Sequence, residues 1–210
     1  MLMALRKPLR SKMSKISLNQ AKKLVKLAKE AISAYFEDKK VEISADMKKE
    51  FGEKRGAFVS LYIGEDLIGC IGFPEPVFPL YKAVIDASKG AAFEDPRFPP
   101  LSKEQFKELR IEISVLTQPE VIKVKDPSEY PSKVKIGEDG LVIRDEFGSG
   151  LLLPQVAVEW KWDSAEFLNQ TCVKAGLNPD CWCNMKRNVY KFQAQVFSEE
   201  NGKLVEKKLD

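Results

Sequence analysis

The chain contains no histidine. That removes the commonest general base near neutral pH, the commonest zinc ligand and every histidine-based triad. Only four cysteines occur, at positions 70, 172, 181 and 183. Structural zinc sites use paired Cys or His ligands at C-x-x-C-type spacings. Cys181-Trp182-Cys183 with Cys172 offers three ligands at poor spacing, so packing or a disulfide is favoured over a metal, and no metal site is expected. No cofactor is evident from any motif. No apolar run approaches the roughly 20 residues that span a bilayer, and no internal repeat or low-complexity linker interrupts the 210 residues.

Basic charge is concentrated at one end. Residues 1–15 carry Arg6, Lys7, Arg10, Lys12 and Lys15 with no acid, and Pro8 breaks the stretch before any apolar core of a signal peptide can form. We read 1–15 as a loose basic tail. The whole chain carries +3, but the remainder holds 29 basic residues against 31 acidic. A near-neutral body of mixed sign lacks the clustered basic face of a nucleic-acid binder. With no signal or span, a cytoplasmic protein with reduced thiols is expected. Abundant Lys and Glu beside few Asn and Gln suggest a thermophile, a setting in which intracellular disulfides do occur.

With 44% hydrophobic residues, the chain can bury a substantial core in a single domain, placed at 16–200 with a C-terminal tail over 201–210. Ser17 and Gln20 form a capping box before an apolar stripe running from Ala21 to Phe36 at helical spacing. Phe58–Ile63, the Gly64-Glu65-Asp66 turn and Leu67–Gly72 predict a hairpin. The prolines of Phe73–Pro79 end it, and Leu80–Ala92 predicts a helix. The proline-dense stretch Phe93–Pro100 predicts irregular chain, and Ser102 with Gln105 opens a short helix. Ile111, Ile113 and Val115 alternate with polar residues as in a half-buried strand, and residues 118–133 read as a polar connection. Val134–Ile143 suggests a second hairpin turning at 137–140. Asp163 and Glu166 cap a helix that Gly176 ends, and Tyr190–Val196 is a final alternating strand, with Asn201-Gly202 placed to turn a last hairpin. The fold class is α+β, with a mixed, mostly antiparallel sheet and flanking helices.

Leu67-Ile68-Gly69-Cys70-Ile71-Gly72 stands out. Glycine weakens a strand and marks places where a backbone or ligand comes close. A thiol between Gly69 and Gly72 is the first candidate site. Cys70 reads either as a nucleophile or as a small buried apolar residue, as free cysteine commonly is. Without histidine its base has to be another group, and Asp95 and Glu75 are the nearest motif candidates. Asp95 and Arg97 read either as an ion pair fixing the proline loop or as a carboxylate or phosphate site. Gln155, after Pro154, is placed to hydrogen-bond a ligand from a strand end or to satisfy local backbone.

These segments together resemble the AMMECR family. Leu67–Gly72 is similar to its Leu-Arg-Gly-Cys-Ile-Gly signature, and Asp95-Pro96-Arg97-Phe98-Pro99-Pro100 to its Asp-Pro-Arg-Phe-Pro-Pro loop. Ile113–Thr117, Ile136–Leu141, Leu152–Ala157 and Lys174–Leu177 follow in order. The match covers roughly 17–198, as in archaeal or bacterial members. The resemblance implies two unequal lobes with a cleft lined by the signature. It implies binding residues Gly69, Ile71, Gly72, Arg97, Phe98 and Gln155, with Cys70 and Asp95 as candidate catalytic residues. It suggests a pathway shared with Memo-like or radical S-adenosylmethionine proteins. Two functions are expected in the alternative. One is an enzyme or modification-pathway component acting on a small molecule, modified nucleotide or side chain. The other is a non-catalytic adaptor gripping a partner, with Phe73, Val77 and Phe78 as the candidate contact residues. Ile68 stands where the signature has arginine, a guanidinium that would favour a thiolate; Arg97 is the candidate substitute.

Overall fold

The computed structural model describes residues 15–144 and 148–207; most of the basic tail expected over 1–15 lies outside them. The elements in chain order are α1 (Leu18–Phe36), α2 (Ala45–Glu50), β1 (Ala57–Ile63), β2 (Asp66–Phe73) and α3 (Leu80–Lys89), which runs into a π-helical turn over Gly90–Glu94. Then come α4 (Lys103–Phe106), β3 (Arg110–Leu116), β4 (Glu120–Val121), α5 (Tyr130–Lys133), β5 (Asp139–Arg144) and β6 (Ser149–Leu152). The chain closes with α6 (Pro154–Glu159), α7 (Ser164–Lys174), β7 (Val189–Glu200) and β8 (Lys203–Lys207).

Local chemistry sets most of these boundaries. The Ser17/Gln20 and Ser102/Gln105 boxes are both reciprocal, each serine side chain accepting from the glutamine N–H and each glutamine side chain from the serine N–H. Asp163 caps α7 by accepting from Glu166 N–H, and Gly176 follows its end at φ +76°.

The strands form one curled sheet in the order β2-β1-β3-β7-β5-β6, with β4 and β8 also on β7. Expected to be mostly antiparallel, it is antiparallel in every described pairing. The twelve-residue β7 joins the two halves. Its first part pairs β5 and β4, and its last part pairs β3 and β8. β8 gives residues 203–207, expected as tail, a place in the sheet, across the Asn201-Gly202 turn. The second hairpin differs from the expectation. Val134 and Ile136 form no strand. They pack into a core with α7, while β5 pairs with β6 and β7.

The two largest apolar cores lie on either side of this arrangement. One packs α1 and α3 on the face of β1 and β3 that carries Ala57, Val59, Leu61, Ile111, Ile113 and Val115. The other surrounds Phe167, Leu168, Leu141 and Ile143 and holds the Cys172–Cys181 disulfide. The supposed polar connection 118–133 contributes Ile122 and Tyr130 to it, both buried.

The glycines of β2 serve close backbone approach within the chain itself. A Cβ on Gly69 would lie 2.0 Å from the Ala91 carbonyl oxygen of the π-helical turn. One on Gly72 would lie 2.4 Å from the Phe58 ring. Neither backbone nor ring can yield that far without repacking. Gly69→Ala is therefore expected to cost about 3 kcal/mol in urea unfolding. Gly64→Ala, at φ +58° in open space, should cost about 1 kcal/mol, from backbone strain alone. Equal losses would count against the close-approach account.

Candidate functional site

β2 lies at the edge of the sheet, hydrogen-bonded on one side to β1 alone. Edge strands present unpaired N–H and C=O groups. At Cys70 both are satisfied by one loop. The Cys70 N–H donates to Asp95 Oδ2 at 2.9 Å, and Arg97 Nη2 donates to the Cys70 carbonyl at 2.9 Å. Arg97 and Asp95 are themselves joined in a forked pair, Nε to Oδ1 at 2.9 Å and Nη2 to Oδ2 at 2.7 Å. The Arg97 N–H adds a third bond, to Oδ1 at 3.1 Å. The loop thus stands in for a neighbouring strand at one residue. The π-helical turn delivers Asp95 there, seated against Gly69 by the absence of a side chain.

The electrostatics follow. Asp95 is 5% exposed. The Arg97 hydrogen bonds hold its carboxyl well below the usual carboxylate range, opposed by burial and assisted by the Cys70 N–H. Arg97 is held above its ordinary value, first by Asp95, with the Cys70 side chain adding to it. The guanidinium therefore lies within electrostatic reach of the sulfur, and it also sits over the Phe98 ring at 5.2 Å. Asp95 itself bonds the Cys70 backbone and not its thiol.

The register defines the sulfur's surroundings. Cys70 opposes Ser60 on β1, Ser60 opposes Glu112 on β3, and Glu112 opposes Ser198 on β7. Directly opposed residues share a face. This row occupies the face away from the α1/α3 core. Ser60 Oγ donates to Cys70 Sγ at 3.2 Å. Glu112 and Ser198 are buried, so the polar positions of β3 do not face solvent as the alternation suggested. Lys207 Nζ lies 2.8 Å from Glu112 Oε2. In the next row Tyr62 lies under the Arg110 guanidinium, at 4.6 Å. Its hydroxyl is pushed up to about 12, first by burial and then by the Glu112 and Cys70 charges.

The structure thus brings together Gly69, Cys70, Ile71, Gly72, Asp95, Arg97 and Phe98. Ile71 packs on the α1/α3 core beside Gly90. Gln155 lies in the first turn of α6 and not at a strand end; among the described residues no hydrogen bond joins it to the Cys70 group, and its Oε1 accepts none. Glu75 pairs with Arg144. Ser60, Glu112 and Tyr62 escaped sequence reasoning. Their signal was the placement of polar side chains at alternate positions of two otherwise apolar strands, which resembles an ordinary wet face. Ile68, at the arginine position of the signature, is the extra residue of a bulge between the Leu61–Gly69 and Tyr62–Leu67 pairs and packs on the apolar core. Cys183 is the other free thiol among the described residues and is exposed.

An α+β protein with a clamped cysteine on the edge of a curled antiparallel sheet is the class that fold and site define. The chain belongs to the AMMECR1 family, whose match covers residues 25–197. A protein from Methanothermobacter thermautotrophicus is 46% identical over 190 residues, covering 90% of this chain and 99% of its own. One from Thermococcus gammatolerans is 52% identical over 183 residues, covering 84% and 89%. A crystal structure of uncharacterized protein PH0010 from Pyrococcus horikoshii superposes with a TM-score of 0.85 at 46% identity, covering 93% of this chain and all of that one.

The depressed Asp95 titration carries a stability signature. The unfolded chain binds this proton more tightly than the folded one, so the contribution is full above the ordinary Asp pKa of about 4 and is lost as pH falls below it. Asp95→Ala is expected to lose about 2 kcal/mol at pH 7, because it strips the Cys70 amide of its acceptor while solvated Arg97 tempers the charge effect. Urea titrations of both proteins should show the gap narrowing from pH 5 toward pH 2.5. A gap that holds constant would contradict the assignment.

Proposed function

We propose that this AMMECR-family chain is an enzyme whose reacting group is the Cys70 thiol, acting on a small molecule or a modified nucleotide or side chain. The observation that carries this reading is the double fixation of the Cys70 backbone by one ion pair, beside a hydroxyl donor 3.2 Å from a sulfur on a polar face. A cysteine kept only for packing needs none of this. Cys172 and Cys181, by contrast, are joined in a disulfide inside an apolar core. A held nucleophile loses little freedom on reaching the reactive geometry. The Ser60 hydroxyl donates to the sulfur, and the Arg97 guanidinium, bonded to the Cys70 carbonyl, stands beside it.

The adaptor alternative draws on the turn after β2, where Val77 is 52% exposed. Phe73 and Phe78 pack edge to face at 5.2 Å and lie against the α1/α3 core. They leave little apolar surface for a partner, so the thiol reading is preferred.

The test is alkylation by iodoacetamide at pH 7 in a Cys183→Ser background, followed by peptide mass mapping. Cys70 in the folded chain should react several-fold faster than in the urea-unfolded chain, and Arg97→Gln should remove most of that advantage. A folded rate no higher than the unfolded one overturns the reading.

A further inference from the structure

The proposed chemistry needs a proton acceptor, and the obvious one is taken. Both Asp95 oxygens bond Arg97, and one also bonds the Cys70 amide, all through groups other than the thiol. With no histidine in the chain, the protein group bonded to the sulfur is Ser60, on the sulfur's own face of the sheet.

That face has an unusual interior. On the opposite face of the same strands, Val59, Leu61, Ile111, Ile113 and Phe197 are apolar and buried. Here a row of polar groups crosses four strands, and its inner members are as buried as the core, Glu112 at 6% exposed and Ser198 at 0%. Burying a carboxylate is costly unless it is paired. Glu112 is paired with Lys207, reached from β8, whose Nζ lies 2.8 Å from its Oε2. Opposed side chains in antiparallel pairs have Cβ atoms about 5 Å apart. Ser60 stands one such step from Cys70 and one from Glu112, and a serine hydroxyl both donates and accepts and rotates to suit.

Resting on the reading of Cys70 as the reacting group, we infer that Glu112 is the terminal proton acceptor for the thiol, with Ser60 as the relay between them. As the sulfur attacks an electrophile, the thiol proton passes to Ser60 Oγ while the Ser60 hydroxyl proton passes to the Glu112 carboxylate. One proton moves two strands, the sulfur gains a bond to carbon, and the leaving group departs with its electron pair. No oxidant or reductant takes part. Glu112 acts through Ser60 and positions the proton path; it does not touch substrate.

The charged and titratable groups facing this path are Lys207 from β8, Arg110 and Tyr62 from β3 and β1, Arg97 from the clamp, and Glu159 at the end of α6, whose charge reaches Tyr62. The Tyr62 hydroxyl, pushed up to about 12, stays protonated from pH 6 to 9.5. The change of rate with pH therefore reports the thiol and its acceptor.

The experiment is the iodoacetamide rate at Cys70 from pH 6 to 9.5, again with Cys183→Ser, for the parent chain, Glu112→Gln and Ser60→Ala. In this probe the S–C bond forms and iodide leaves. Both variants should slow alkylation about tenfold at pH 6.5 and approach the parent rate at pH 9.5, where hydroxide removes the proton directly. Should Glu112→Gln fail to fold, Ser60→Ala alone carries the same expectation. A fast parent rate with either folded variant unchanged, or slowed equally at every pH, overturns the role of Glu112 and leaves the thiol reading standing. A parent rate no faster than that of the unfolded chain removes both.

Discussion

An exposed sheet edge has to be closed, and in this protein the closure falls on one residue. Among the described residues Cys70 has no second strand beside it. Its amide and carbonyl are met by a carboxylate and a guanidinium that are also bonded to each other. Much of the surrounding architecture follows from that requirement. Asp95 can reach the edge because the chain leaves α3 through a π-helical turn. The turn can approach because Gly69 presents no side chain to the Ala91 carbonyl. The prolines on both sides of Arg97 restrict the backbone that carries the clamp. A cysteine held this way keeps its sulfur on a set vector relative to Ser60 and Glu112, and that precision is what a reacting group needs.

The same sheet separates two chemistries by face. One face of β1 and β3 is a plain apolar core under α1 and α3. The other is crossed by a polar row and, further along, closes over Leu116, Val142 and Phe192 with Phe58 and Leu151. The curl of the sheet buries side chains on both faces, so a polar group on the second face is desolvated without entering the main core. Such a setting strengthens electrostatic coupling between neighbours. The shift of the Tyr62 hydroxyl under the combined effect of burial, Glu112 and Cys70 is its local expression.

The parts of this that local sequence determines were readable. The capping boxes, the first hairpin and the glycine-flanked cysteine depend on neighbours a few residues apart. The resemblance of Leu67–Gly72 and Asp95–Pro100 to family motifs paired two segments that no periodicity would have joined. What was not readable depended on register and curvature. Glu112 and Ser114 in β3 alternate with isoleucine and valine as solvent-facing residues do, yet both are buried in the folded chain. Val134 and Ile136 look like a strand, but packing against α7 takes them instead. Gly69 and Gly72 invite a ligand in sequence, while in three dimensions Ala91 and Phe58 occupy the space they leave.

The Asp95–Arg97 pair, and not a neighbouring strand, holds the backbone at Cys70. Hydrogen exchange of the Cys70 amide measures it directly. In the native chain this edge amide should exchange as slowly as the paired amides of β1, and Asp95→Ala should return it to the rate of an open edge while β1 and β3 stay protected. An amide that exchanges freely in the native chain, or one that keeps its protection without Asp95, would contradict the account.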